Sequence, residues 1–236
     1  LLLFNFEKKY FEKEDISCQF VGHPLLENKE KSKIDINQII GKNKALISVF
    51  AGSRKSEIIV LMPILLDFIK LMNEKYTDMT YIFHSTKEYS NLIQTFINES
   101  RTPNCEIISD DKIKSHILQK SVFAVAKSGT VSLEISNEKI PSIILYKMGF
   151  INYMIVKSLV KTKYANIINF AAKEEVIPEL IQSNCNSKNI FKHVSNFLEN
   201  PNKIKEQVDK VQKILDKLKT NGTSSELASL SLNKFL

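Results

Sequence analysis

The chain has 236 residues, enough for one large domain or two small ones, with 43% hydrophobic residues, no Trp, and only 6 Gly and 6 Pro. Its formal charge of +7 comes from Lys spread along the chain, without a dense Arg cluster or interleaved aromatics. Nucleic acid is therefore not expected as a partner, and an anionic substrate or an anionic lipid surface accounts for the same balance.

In chain order, residues 1–40 lack a regular alternation of elements and are expected to connect to, or belong to, another domain. Residues 45–50 (ALISVF) read as a buried strand, followed by the turn Ala51-Gly52-Ser53-Arg54. Residues 57–76 are apolar nearly all round and helical, with Pro63 expected to kink the helix or sit in its first true turn. Strands are expected at 79–83, 105–108, 122–126 and 141–146, and helices at 88–98, 111–119 and 131–138. Beyond Lys163 the pattern is less regular, then becomes three helical stretches at 187–199, 201–219 and 224–235. Apolar strands that do not alternate, each followed by a helix, predict an α/β fold: a Rossmann-like, doubly wound parallel sheet covered on both faces. In such sheets ligands bind at the carboxyl ends of the strands, where both Gly52 and Gly129 fall.

The stretch Lys127-Ser128-Gly129-Thr130-Val131-Ser132-Leu133-Glu134 carries the most chemistry. A strand, a Ser-Gly-Thr turn and a helix start make an anion site, because the first amides of a helix have no acceptor within it. Ser128 and Thr130 are expected to add hydroxyl donors. Glu134, one turn further on, would repel phosphate but accept the hydroxyls of a ribose. A nucleotide or nucleotide-sugar is the ligand this pattern suggests. The alternative is a capped helix following a core strand.

Cys18, Cys105 and Cys185 have no metal-ligand spacing and fit a reducing cytosol. His23, His84, His116 and His193 do not cluster, so no metal and no cofactor is expected. Lys147 and Lys157 interrupt the longest apolar run, which keeps it below membrane-spanning length. The run from Met148 to Lys161 is apolar and aromatic with Lys at one end. It suits either a membrane surface or a helix packed against protein. The chain starts without Met and reads as part of something longer.

Several motifs recur together in one order. Phe20-Val21-Gly22-His23-Pro24-Leu25 comes first, then Gly52-Ser53-Arg54 with Glu57-Ile58 and Pro63, then Ser128-Gly129-Thr130 with Leu133-Glu134. Tyr146-Lys147, Lys163-Tyr164, Asn169 and residues 176–182 (VIPELIQ) follow. Across residues 4–182 this resembles the lipid-A-disaccharide synthases, bacterial glycosyltransferases of the two-Rossmann-domain (GT-B) type. The resemblance implies a C-terminal, UDP-binding part at residues 41–236, preceded at 1–40 by a remnant of the N-terminal domain and the interdomain segment. It implies transfer of 2,3-diacylglucosamine from its UDP donor to a lipid X-type acceptor, 2,3-diacylglucosamine 1-phosphate, with inversion and without a metal. The work would be done in the cytoplasm of a Gram-negative bacterium, peripherally on the inner membrane, with the missing N-terminal domain as a partner and a homo-oligomer left open. Ala51 stands where the family usually has Pro, and Ile168 precedes Asn169 where Pro-Asn is frequent.

From the resemblance, substrate-binding residues are expected at Gly52, Ser53, Arg54, Ser128, Gly129, Thr130, Glu134, Tyr146, Lys147, Asn169 and Gln182. Arg54 is expected to stabilise the UDP leaving group, and His23 reads as structural. The general base is expected in the absent part, so the isolated chain is expected to be inactive. Another GT-B enzyme, either a UDP-sugar transferase or an epimerase, is the competing enzymatic reading. A decayed, non-catalytic remnant or a basic binding module is the non-enzymatic one.

Overall fold

The computed structural model describes residues 1–27, 45–149, 153 and 162–233. Six parallel strands form one sheet in the order β3-β2-β1-β4-β5-β6. They are β1 Ala45–Phe50, β2 Met79–His84, β3 Cys105–Ile108, β4 Ser121–Lys127, β5 Ser142–Tyr146 and β6 Glu179–Ile181. After the short α1 Lys8–Glu12, the helices are α2 Lys55–Lys75, α3 Lys87–Ser100, α4 Asp111–Lys120, α5 Val131–Asn137, α6 Ile167–Ala172, α7 Ser187–Leu198, α8 Pro201–Leu218 and α9 Ser224–Leu232.

The two-residue period of each strand sends alternate side chains to opposite faces. Ile47, Val49, Tyr81, Phe83, Phe123, Val125, Ile143 and Leu145 pack with α2, α3 and α7 on one face. Phe50, Ala124, Ala126 and Ile144 pack with α5, α6 and α8 on the other. Burial on both faces is why these strands read as continuous apolar runs.

Pro63 lies inside α2, beyond its first turn. A proline there denies a hydrogen bond to the carbonyl four residues earlier, which belongs to Ile59. Pro63 and Ile59 are both exposed, so water can take that carbonyl. The sixth strand, Glu179–Ile181, was expected only as part of a family motif. It is three residues long and pairs with β5 from Ile144↔Glu179 to Tyr146↔Ile181.

Phe4 and Leu26 join the cluster on the second face, and Leu2 pairs with Phe20 in an isolated bridge. His23 accepts the Leu25 amide at Nδ1 (3.1 Å), capping the short turn Pro24–Leu26, the structural part expected of it. The Met148 to Lys161 segment lies, apart from residues 148, 149 and 153, outside the described residues. Among the described residues no helix is long and apolar enough to cross a membrane.

From β1 the connections run outward one way to β2 and β3, and the other way from β4 to β5 and β6. β1 and β4 are therefore neighbours whose following helices leave on opposite sides, the crevice where sheets of this kind take ligands. Phe50 pairs with Ala126 at the carboxyl ends of the two strands. The turns carrying Gly52 and Gly129 rise directly from there.

Candidate functional site

A cavity of about 520 Å³ opens at this switch point. Of the residues expected in the site, Gly52, Ser53, Arg54, Ser128, Gly129, Thr130 and Glu134 all line it. Phe50, His84 to Thr86 at the end of β2, Ile108 to Asp111 between the end of β3 and the start of α4, Lys114 on α4, Lys127 and Val131 complete the wall.

The first loop is held by Glu57 on the opening turn of α2. Its Oε2 accepts the Ser53 amide at 3.0 Å, while Oε1 meets Arg54 Nη1 at 3.3 Å and Lys127 Nζ at 2.8 Å. Burial pushes the Glu57 carboxyl up, but the hydrogen bonds from Lys127 and Ser53 and the charges of Lys127 and Arg54 outweigh it, leaving it below its ordinary value. Three cationic or N–H groups suited to a diphosphate thus converge on one carboxylate. The side chain of Arg54 is 77% exposed and lines the cavity, so it can turn to a ligand at small cost.

The second loop behaves differently from its expected role at one atom. The Ser128 hydroxyl donates to the Ala165 carbonyl at 2.9 Å, and its amide donates to Leu145 O at 2.8 Å. In this arrangement Ser128 anchors the loop, its hydroxyl proton directed to the Ala165 carbonyl. A β-carbon built at Gly129 would meet nothing within 4 Å, so this position opens onto space. Ser132 and Leu133 donate back to the carbonyls of Gly129 and Thr130. The amides before them precede the first intrahelical acceptor and form the donor edge of the turn.

Glu134 sits one turn on, its Oε2 2.6 Å from Lys114 Nζ. At the end of β2, His84 stacks on Phe50 with ring centroids 4.3 Å apart. Burial draws its pKa down to about 3, assisted by the Lys114 charge. Its tautomer follows from a chain of hydrogen bonds. Ser121 spends its only proton on Ile117 O, so Ser48 must donate to Ser121, and His84 must donate to Ser48 from Nε2. Nδ1 is left as a buried lone pair without a partner among the described residues.

The other four expected residues lie outside this cavity. Lys147 donates to Cys185 O at 3.1 Å, and Tyr146 lies 5.9 Å from Lys127 Nζ, ring centroid to nitrogen. The fully buried Asn169 donates to Ile177 O and Glu179 Oε1, and accepts from the amides of Val176 and Ile177. Gln182 brackets Met148, accepting from its amide at 2.9 Å and donating to its carbonyl at 3.2 Å. These last two side chains hold loops together after β5 and before α7.

Lys127, Glu57, Lys114 and His84 were not in the expected set. Glu57 stood within a motif that carried the resemblance and Lys127 opened the 127–134 stretch, while Lys114 and His84 gave no local signal. Among the described residues no group of three or more His, Cys, Asp or Glu is gathered as a metal would need.

A doubly wound parallel sheet with a cavity at its switch point is the Rossmann-like type of α/β domain. The family model described as lipid-A-disaccharide synthetase matches residues 1–232, and the chain belongs to that family. It is 34% identical over 233 residues to the lipid-A-disaccharide synthase of Rickettsia prowazekii, covering 96% of this chain and 60% of that protein. It is likewise 34% identical to the Rickettsia typhi enzyme, covering 92% of this chain and 57% of that one. The chain thus spans about 60% of the length of a relative it matches along almost all of itself. The fold is shared with a putative UDP-N-acetylglucosamine 2-epimerase from Listeria monocytogenes (TM-score 0.59, 13% identity, 90% of this chain, 56% of the other). It is also shared with a UDP-GlcNAc 2-epimerase from Neisseria meningitidis bound to UDP-GlcNAc (TM-score 0.59, 16% identity, 85% and 47%).

Proposed function

We propose that this chain is the donor-binding part of a lipid-A-disaccharide synthase, seating the UDP of UDP-2,3-diacylglucosamine in the cavity between the two glycine turns. Residues 41–236 form the UDP-binding part, and residues 1–40 belong with the first domain and its connection. The observation that carries this reading is the convergence, at the β1–β4 switch point, of two amide-rich turns and a carboxylate one helical turn beyond. The family membership makes a transferase a better reading than the epimerases that share the fold.

In the proposed reaction a hydroxyl of 2,3-diacylglucosamine 1-phosphate attacks the anomeric carbon of the donor. The bond from that carbon to the diphosphate oxygen breaks, UDP departs with the electron pair, and the hydroxyl proton passes to a base. The base and the acceptor site are assigned to the N-terminal domain. This chain supplies stabilisation of the departing charge. Arg54, Lys127, the Ser53 amide and the first amides of the 128–131 turn would surround the diphosphate, which is the principal electrostatic task in a transfer of this kind. The lipid substrates place the enzyme peripherally on the cytoplasmic face of the inner membrane.

Calorimetric titration of the 236 residues with UDP tests the reading. Binding that inorganic pyrophosphate competes away is expected, and no binding at millimolar UDP overturns it. Incubation with both lipid substrates is expected to yield no disaccharide. Holding the acceptor against the donor supplies on the order of 7–11 kcal/mol of barrier reduction in favourable cases, and half of a cleft does not provide it.

A further inference from the structure

We propose that Glu179, on β6 and away from the cavity wall, is a positioning residue for the glycine turn at Gly129, acting through a single peptide unit. This role rests on the nucleotide reading above and adds a residue that the ligand does not touch. Glu179 Oε1 accepts the Asn166 amide at 3.0 Å, and Oε2 accepts the Ala165 amide at 2.7 Å. The Asn166 N–H and the Ala165 carbonyl belong to one planar peptide unit and leave it on opposite edges. That carbonyl takes the Ser128 hydroxyl proton at 2.9 Å. A carboxylate at one edge of a peptide and a hydroxyl at the other make a continuous chain from Glu179 to Ser128, in which each bond polarises the next.

Ser128 is 7% exposed and Asn166 2%, so water competes weakly for the bonds at their end of the chain. The Ser128 amide is tied separately, to Leu145 O on β5 at 2.8 Å. Its backbone and its side chain are therefore held by two different elements, β5 and the start of α6. Gly129 comes next and has no side chain to hold it in place, with nothing within 4 Å of a β-carbon built there. Where its amide points is set by its neighbours, Ser128 first among them. Glu57 does comparable work at the first loop, where its carboxylate takes the Ser53 amide at 3.0 Å. Asn169 Nδ2 adds a further donor to Glu179 Oε1 at 2.8 Å, which orients the carboxylate but is no part of the chain to Ser128.

The test is calorimetry with UDP and pyrophosphate on the unmodified chain, Glu179→Gln, Ser128→Ala and the double variant, with the amide resonance of Gly129 followed in each. Gln keeps the size of Glu but offers one acceptor oxygen to two peptide amides. Each single variant is expected to weaken pyrophosphate by about tenfold, and the double variant by no more than the weaker-binding single, because both cut the same chain. Without ligand, the Gly129 resonance is expected to move in the same direction in all three. Glu179→Asp, which keeps the charge but withdraws it by one methylene, carries the same expectation should the Gln variant fail to fold. Asn169→Ala controls for general loosening: it destabilises the same region, leaves Glu179 joined to both amides, and should hold pyrophosphate within about twofold. Full affinity in Glu179→Gln with a loss in Ser128→Ala would make Ser128 a direct ligand contact and overturn the inference. Losses that multiply in the double variant, or an equal loss in Asn169→Ala, would overturn it too while leaving the nucleotide reading in place. If the folded, unmodified chain binds neither ligand, that reading falls and takes this inference with it.

Discussion

The carboxylate of Glu57 occupies the place that a side chain on Gly52 would need: a β-carbon built there falls 2.6 Å from Oε2 and 2.7 Å from Cβ of Glu57. Gly52 also has φ +117°, a conformation closed to other residues in practice. The first loop of the site thus depends on one absent atom, since Glu57 could not otherwise gather Ser53, Arg54 and Lys127.

Gly52→Ala is accordingly expected to lower stability by about 1–3 kcal/mol and to weaken UDP in the folded fraction. Gly129→Ala is the informative contrast, because nothing lies within 4 Å of the added carbon. Its stability is expected to stay within about 0.5 kcal/mol, while UDP affinity falls because the methyl group occupies ligand space. Urea unfolding and calorimetry on both variants check this. Equal affinity for Gly129→Ala and the unmodified chain would remove that turn from the site.

Arg54 separates binding from stability in another way. Its side chain is 77% exposed and makes one 3.3 Å contact, to Glu57. Arg54→Ala is expected to change stability by less than about 0.5 kcal/mol. UDP affinity should fall by about tenfold or more, the effect of losing a charged hydrogen bond. Arg54→Lys should recover only part of it, since an ammonium lacks the two-pronged geometry of a guanidinium. Full affinity in the Lys variant would show that Arg54 acts only as a point charge.

The parallel sheet was legible because its strands are buried on both faces, and five of its strands lie within two residues of where their apolar runs place them. The sixth escaped because Glu179–Ile181 is short and begins with a charge that the start of α6 uses: Glu179 accepts from the Ala165 and Asn166 amides and from Asn169. The two site loops were legible for a local reason, each being a glycine turn between a strand and a helix. Lys114 was not, because its link to Glu134 crosses 20 residues and exists only once α4 and α5 pack beside β4. Polar motif residues such as Asn169 and Gln182 look alike in sequence whether they meet a ligand or a backbone. Only burial and partners separate the cases.

His84 gives a prediction in pH. Its pKa is drawn to about 3 from an ordinary 6.5, burial being the main cause. Between those values the unfolded chain takes up a proton that the folded chain refuses. Stability is therefore expected to fall as pH drops below 6.5, with this one group contributing at most about 1.4 kcal/mol per pH unit. His84→Gln should flatten the dependence between pH 7 and 5, above the range where carboxylates titrate. Imidazole resonances of His84 that titrate near pH 6 would show that the ring is not held neutral.

Asn169 supplies the reverse of the Arg54 test. Its amide is fully buried, and its oxygen serves the Val176 amide at 2.8 Å and the Ile177 amide at 2.9 Å, while its nitrogen serves Ile177 O and Glu179. Asn169→Ala leaves these groups buried and unpaired, at about 1–3 kcal/mol for each that no water can reach. A large drop in melting temperature is therefore expected, with the effect centred on the segment between α6 and β6. UDP affinity of the protein that remains folded should be unchanged, because Asn169 does not line the cavity. Asn169→Asp is the sharper variant, keeping the acceptor for both amides while losing the donor to Ile177 O and facing Glu179 with a like charge. It should be less stable than the unmodified chain, and its deficit should shrink as pH falls and the new carboxyl takes a proton. A variant at position 169 that melts normally yet binds UDP poorly would return this residue to the ligand and remove it from the framework.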